Sequence, residues 1–353
     1  VEWWGVEPSS FNESGEMSSE KRCTIILPVF NMEETLPRAL EGAIREASPN
    51  DEVVVVDDGS TDRSAEIAAR FPVRLVRHEK NRGVAAARRT GARASRGRVL
   101  FFTDADACLR PGAADRACRR LEEEPDVAAL VGIYSAESGA GDLVSRFKNL
   151  WIRYSYLKGP REIDWLFGCV FAVRRSLYEE LEGQVDGPRA GRWGTDIELG
   201  LRMRARGCRI LLDPGLKAVH YRRHTFLGLL RNDFGRSTGY LVIGREQLGW
   251  RRLLQERRFA NIREEYIVGM ALLVLLAVAL PASLFLPPLR WGVLGVLGVY
   301  LGFAASFYRT LYRHGGLRLG AAGIVLLAAS QAASVAGVVR GVLAKRRGKL
   351  ATS

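Results

Sequence analysis

The chain has 353 residues, with 52 Lys and Arg against 39 Asp and Glu, a formal net charge of +13. That length leaves room for one large domain and something more. The charge suits phosphate ligands or an anionic membrane surface; the arginines are spread along the chain without a zinc knuckle or recognition-helix signature, which argues against nucleic acid. Five cysteines (Cys23, Cys108, Cys118, Cys169, Cys208) are odd in number and lack CxxC spacing, which favours free thiols in a reducing compartment over disulfides or a metal site.

Residues 1–21 are polar and Ser/Glu-rich with no apolar signal-peptide core, and read as a disordered tail despite Trp3 and Trp4; Met17 is a candidate natural start. Cys23–Leu27 is a β-rich run ending at Pro28, with a turn through Asn31. Glu33 to Glu46 has helical spacing, with Leu36, Leu40 and Ile44 on one face. Val53–Val56 reads as a second buried strand, closing on Asp57-Asp58-Gly59-Ser60-Thr61-Asp62. A helix over Ser64–Arg70, a strand over Val73–Val76, the turn Asn81-Arg82-Gly83 and a helix over Val84–Ala94 follow. The next strand, Val99–Phe102, runs straight into Asp104 and Asp106. Alternation of this kind predicts an α/β fold with a Rossmann-like, doubly wound, mostly parallel sheet. Ligands of such sheets sit beyond the carboxyl ends of the strands.

Two carboxylates one residue apart at such a strand end are hard oxygen donors that suit Mg²⁺ or Mn²⁺, and the ion in turn suits a diphosphate; the plain alternative is an acidic turn. Asp58 is placed to accept from a nucleotide base or ribose, whereas Ser60 and Asp62 read as turn and cap residues. Pro28 and Phe30 can wall the base. Arg88, on the helix after Asn81-Arg82-Gly83, can meet diphosphate oxygens or be a solvated surface arginine.

Further along, Val127–Ile133 reads as a strand and Leu143–Leu157 as an amphipathic stretch. Trp165 to Arg174 is an apolar run interrupted by Gly168, which marks either a bulge or the close approach of another group. A helix opens at Thr195 and stops at Gly207. Thr195 with Glu198 has capping-box spacing, and Asp196, in the first turn, is kept ionised by the helix dipole, as a general base requires; acids are also ordinary in first turns. His220, one of only four histidines, is a candidate third metal ligand.

Together these residues resemble family 2 glycosyltransferases with a GT-A fold, from about Cys23 to His224. The marks are Pro-Val-Phe-Asn at 28–31, Val-Val-Asp-Asp-Gly-Ser-Thr-Asp at 55–62, Asn-Arg-Gly at 81–83, Asp-Ala-Asp at 104–106, Phe-Gly-Cys-Val-Phe-Ala-Val-Arg at 167–174 and Thr-Asp-Ile-Glu-Leu at 195–199. The resemblance implies that Pro28, Phe30, Val56, Asp58, Arg88, Asp104 and Ala105 bind a nucleotide-sugar, with a UDP-sugar favoured and a GDP-sugar the alternative. It implies that Asp104 and Asp106 engage the diphosphate through Mg²⁺ or Mn²⁺. Gly168, Trp193 and Thr195 would lie on the acceptor side, and Asp196 would be the base of an inverting transfer. Two positions depart from the common pattern: Thr195 stands where relatives often have Glu, and Met32 where many have Glu. The Gln-x-x-Arg-Trp motif of processive synthases is absent, so transfer of one sugar is expected.

Residues 225–265 are basic and amphipathic; the stretch from Arg222 through Arg263 contains ten arginines and three acids. This suits a segment at anionic lipid headgroups. Three uncharged stretches follow, 267–286, 291–308 and 319–339, each near the roughly 20 residues that span a bilayer. The expected organisation is therefore a tail (1–21), a GT-A domain (22–224), an interface segment (225–265), membrane helices (266–341) and a basic tail (342–353). The protein is expected to be a multi-pass plasma-membrane protein with a cytoplasmic catalytic domain, as basic flanking residues and a cytosolic donor require, and to act on a lipid-linked acceptor. Three spans would leave Lys345-Arg346-Arg347 outside, so the third stretch, with Ser330, Gln331 and Ser334, is alternatively a re-entrant or packed helix.

Overall fold

A computed structural model describes residues 21–182, 195–255 and 264–344. In chain order its elements begin β1 (Lys21–Val29), α1 (Leu36–Glu46), β2 (Asp51–Asp57), α2 (Ser64–Ala68), β3 (Arg74–Arg77), α3 (Val84–Arg93) and β4 (Gly97–Thr103). Next come β5 (Ala107–Leu109), α4 (Ala113–Glu123), β6 (Val127–Ser138), α5 (Leu143–Leu157), β7 (Glu162–Ile163), β8 (Val170–Arg174) and α6 (Arg175–Glu182). The chain continues through α7 (Thr195–Ala205), β9 (Arg209–His220), α8 (Phe226–Gln255), α9 (Glu264–Phe285) and α10 (Leu289–Leu343). These fall into two compact units, residues 21–131 with 168–182, and residues 132–167 with 195–344. The division lies inside the stretch 22–224 that the sequence reads as one domain.

In the first unit the apolar runs become central strands because both faces of the sheet are covered. Ile25, Ile26 and Leu27 of β1, Val54–Val56 of β2 and Leu100–Phe102 of β4 are fully buried, as expected of parallel strands without alternation. β1 pairs in parallel with β2 and with β4, and β2 with β3; β8 then joins β4 antiparallel and β6 joins β8 antiparallel, for the order β3-β2-β1-β4-β8-β6. Helices α1, α2 and α4 neighbour one another on one face, and α3 and α6 on the other. α1 starts at Leu36 rather than at Glu33, because residues 32–35 close a turn and Pro37 belongs in a first helical turn. Only Val170–Arg174 of the apolar run 165–174 is a strand; Gly168 lies just before it.

The second unit contains β7 paired antiparallel with β9, helices α5 and α7, and the long helices. The chain through Asp213-Pro214 to His220 is one strand, β9. Helices α9 and α10 are long and apolar enough to cross a membrane. α10 is interrupted at Gly316, whose φ of 64° no helix can hold. Its two limbs, 289–315 and 317–343, fold back on each other. The Leu311 side chain lies where a Cβ on Gly323 would be, and the Tyr300 hydroxyl donates to Gln331 at 2.7 Å; a continuous helix would part residues 31 apart by about 45 Å. The three apolar stretches are therefore three helices, and Ser330, Gln331 and Ser334 of the last one face inward, each nearly inaccessible. Phe147, Tyr154, Leu229, Tyr266, Phe307 and Leu326 form the core that ties α5, α8, α9 and both limbs of α10 together.

α8, expected as an interface segment, packs along α10. Gly337 lets the Phe234 carbonyl approach to 2.4 Å of a would-be Cβ, and Arg245 donates to the carbonyls of Gly341 and Ala344 at the end of α10. A cation there complements the helix dipole. The tails 1–20 and 345–353 lie outside the described residues.

Candidate active site

Three loops leave the carboxyl ends of β1, β2 and β4 on one edge of the first unit, and their polar side chains bind one another's backbone. After β1, Asn31 takes a left-handed φ of 53°, a conformation Asn tolerates because its amide bonds locally; its Oδ1 accepts from the Thr61 amide at 2.8 Å. In return the Asn31 amide donates to Ser60 Oγ at 3.0 Å, and the Glu33 amide to Asp62 Oδ2 at 3.0 Å. Asp62 Oδ1 also accepts from the Ser64 amide, the first of α2, at 2.9 Å. Burial opposes its charge, but the Ser64 hydroxyl and these amides prevail and hold its pKa below the usual carboxylate value. Ser60 and Asp62 thus do more than the turn and cap roles the sequence suggests: they clamp the β1 loop. Phe30 is 40% exposed, just beyond the strand ends where Pro28 pairs with the buried Val56.

Asp58 is 2% exposed and its oxygens already have partners. Oδ1 accepts from the Arg82 amide at 2.9 Å and Oδ2 from the Gly83 amide at 2.7 Å. His78 Nδ1 lies 2.6 Å from Oδ1, while His78 Nε2 lies 2.9 Å from Thr90 Oγ1. Asp58 therefore holds the Asn81-Arg82-Gly83 turn in place through a buried Asp–His–Thr chain. Sequence reasoning missed His78 and Thr90; the only available signal was a histidine directly after β3.

Asp104 and Asp106 sit on the turn after β4. Asp104, with a side chain 30% exposed, is the open member, and Asp106 is buried. The Ala105 carbonyl between them accepts from Thr35 Oγ1 at 3.0 Å, which fixes the turn to the start of α1. Arg88 is buried rather than solvated, and its Nη2 donates to Asp104 Oδ1 at 3.2 Å and to the Gly168 carbonyl at 2.7 Å. The donor set of two carboxylates on one turn, one of them open, fits a hard divalent cation whose remaining ligands come from water and a diphosphate. Among the described residues no three His, Cys, Asp or Glu side chains converge on a metal site. In the second unit the ring of His220 stacks on Tyr134 with centroids 4.1 Å apart and a 14° tilt.

In the second unit, α7 opens at Thr195 and Asp196, both half-buried. It ends in a Schellman motif, with the Cys208 amide bonded to the Met203 carbonyl, the Gly207 amide to Arg204, and Gly207 at φ 75°. Gly200 brings the helix against the chain at Trp165, where a Cβ would lie 2.4 Å from the Trp165 Cα. Arg204 pairs with Asp164 at 3.2 Å. Burial, together with the charges of Tyr240 and Asp196, raises the Tyr156 phenol well above its usual pKa, and this marks the carboxylate as a neighbour of that ring. Trp193 lies outside the described residues.

Residues 24–182 match the sequence family Glycosyl transferase family 2; this part of the chain is a family 2 glycosyltransferase domain of the GT-A type. An uncharacterized glycosyltransferase of Haemophilus influenzae is 37% identical over 105 residues, 30% of this chain and 36% of that protein. An undecaprenyl-phosphate 4-deoxy-4-formamido-L-arabinose transferase of Pectobacterium carotovorum is 32% identical over 167 residues, 44% of this chain and 50% of that protein. The chain thus spans half or less of the length of these curated relatives. Among solved structures, the mannosyltransferase PcManGT from Pyrobaculum calidifontis, in complex with GDP-Man and Mn²⁺, shares the fold with a TM-score of 0.52 and 19% identity, over 92% of this chain and 88% of that one.

Proposed function

We propose that this protein is an inverting, metal-dependent glycosyltransferase, anchored in the plasma membrane by its C-terminal helices, that moves one sugar from a nucleotide-sugar to a hydroxyl of a lipid-linked acceptor at the cytoplasmic face. The observation that carries the reading is the pair Asp104 and Asp106 at the end of β4, on the strand edge that also presents the interlocked loops at 28–33 and 57–62. Phe30, Pro28, Val56 and Ala105 border the nucleotide, a UDP-sugar by preference. Asp58 shapes its pocket through the 81–83 turn. Asp104 and Asp106 hold Mg²⁺ or Mn²⁺, which supplies counter-charge to the departing diphosphate. Asp196 takes the proton from the acceptor hydroxyl, with Thr195, Trp193 and Gly168 on the acceptor side. The basic residues of 222–263 that stay solvated meet anionic lipids. The structural relative from Pyrobaculum calidifontis is in complex with GDP-Man and Mn²⁺, a donor and ion of the classes proposed here.

The likeness to an undecaprenyl-phosphate transferase favours a second acceptor, a polyprenyl phosphate. A phosphate oxygen is already a nucleophile and needs little base help. Asp196→Asn separates the two, with a loss of about 10²- to 10⁴-fold for a hydroxyl acceptor and little change for a phosphate. The primary test is nucleoside-diphosphate release from UDP-, GDP- and dTDP-sugars in native-lipid extract, with Mg²⁺ or Mn²⁺ and with chelator. Metal- and lipid-dependent release from one donor supports the reading; silence with every donor overturns it.

A further inference from the structure

Arg88 differs from an ordinary donor-binding arginine in how firmly it is held. Its side chain is 9% exposed. One nitrogen serves both the Gly168 carbonyl and Asp104, and the guanidinium carbon lies 5.5 Å from the centre of the Phe171 ring. Its Nε is buried without a hydrogen-bond partner. The carbonyl and the ring keep the cation in place whether or not Asp104 is engaged, so a metal ion approaching Asp104 meets a fixed positive charge rather than a mobile one.

We propose that Arg88 is the resident counter-ion of Asp104, and that it keeps a divalent cation off the acid pair until a diphosphate arrives, so that metal binding depends on nucleotide. The inference rests on the reading of Asp104 and Asp106 as the metal pair. Arg88 beside Asp104 lowers the negative charge that the two carboxylates present by about one unit. A fixed unit charge near 4 Å weakens binding of a divalent ion by at least about tenfold, even at the dielectric of water. A diphosphate brings negative charge that outweighs the guanidinium, and guanidinium groups pair well with phosphate oxygens.

The test is Mn²⁺ binding to the full chain in detergent, read from the loss of the free aqueous Mn²⁺ paramagnetic resonance signal, alone and with UDP or GDP. Arg88→Met removes the charge, and Arg88→Gln removes it while keeping a donor for the Gly168 carbonyl. The wild type is expected to bind Mn²⁺ at least tenfold more tightly with one of the nucleotides than without. The folded neutral variants are expected to bind Mn²⁺ alone at least tenfold more tightly than the wild type and to lose most of the nucleotide effect. Wild-type binding that is equally tight without nucleotide, or a folded Arg88→Gln that binds Mn²⁺ no better than the wild type, overturns the proposal. The variant Asp104→Ala/Asp106→Ala marks the other failure: Mn²⁺ binding unchanged in it refutes the metal pair itself.

Discussion

Lys148 of α5 and Asp233 of α8 form an ion pair with side chains only 4% and 6% exposed. The second Asp233 oxygen accepts from the Ser330 hydroxyl at 2.5 Å, and Ser330 and Ser334 each lie 3.0 Å from the Tyr266 hydroxyl. One polar chain thus joins α5, α8, α9 and α10 inside an apolar core. Burial, with repulsion from Arg236, lowers the Lys148 pKa against the pull of Asp233, so the partner does not fully offset desolvation. Lys148→Met leaves Asp233 buried with the Ser330 hydroxyl and, at longer range, the Arg236 guanidinium, and is expected to cost about 3–5 kcal/mol. Lys148→Met with Asp233→Leu removes both charges, which in comparable pairs is neutral or stabilising, less about 1 kcal/mol for the bond Ser330 loses. The double variant should therefore be more stable than the Lys148→Met single, with a coupling energy of at least about 2 kcal/mol. Reversible unfolding of the four proteins in one mixed detergent system, followed by tryptophan fluorescence, measures the cycle. A Lys148→Met loss under about 1 kcal/mol, or a double variant no better than that single, refutes the argument that uncompensated charge sets the cost.

Three further outcomes follow from buried contacts. His224 is desolvated and lies near Lys148, His220 and Arg222, with Asp233 opposing them, and its imidazole is pushed down to about 3 from 6.5. Between those values the unfolded chain binds the extra proton, so stability should fall as pH drops through 6.5 toward 3, by on the order of 5 kcal/mol at the limit; His224→Asn should flatten that part of the stability–pH profile, and an unchanged slope would count against it. Gly200→Ala forces α7 away from the Trp165 backbone, at a cost of about 1–3 kcal/mol in thermal unfolding. Since α7 carries Asp196, kcat should fall more than donor KM rises. His78→Leu removes one partner from Asp58 and strands Thr90, costing about 1–3 kcal/mol, and should raise donor KM while Thr90→Ser stays near wild type.

The parts of the fold that could be read directly were those whose cause is local. β4 announces itself because four apolar residues in a row need cover on both faces, and the acids follow because strands of this kind end at the ligand edge. The three apolar helices follow from length and composition, whereas the reversal at Gly316 between two of them is seen only in the structure. What stayed hidden depends on partners far apart in sequence. Lys148 and Asp233 are 85 residues apart, and nothing around either signals a pair. Gly200 looks like a weak spot in a helix until the Trp165 backbone lies against it. α8 carries the charge pattern of a surface segment, yet Asp233, Ser237 and Arg245 are buried, because its neighbours supply carbonyls and hydroxyls that a pattern of residue types cannot display.

The acids of the candidate site divide by the same logic. Asp57, Asp58 and Asp106 are nearly inaccessible, whereas Asp104 keeps almost a third of its side chain in solvent. Asp57 is taken up by the Ser60 amide and Arg77, and Asp58 by His78 and two amides. A carboxylate with its lone pairs engaged by backbone donors serves best as a brace, because releasing those donors leaves buried amides unpaired at about 1–3 kcal/mol each. Asp58 thus braces the 81–83 turn, whereas Asp104 stays partly open beside Arg88, a cation for which a diphosphate can compete. Motif acids that look equivalent in sequence thus differ in exposure and in how many backbone amides reach them.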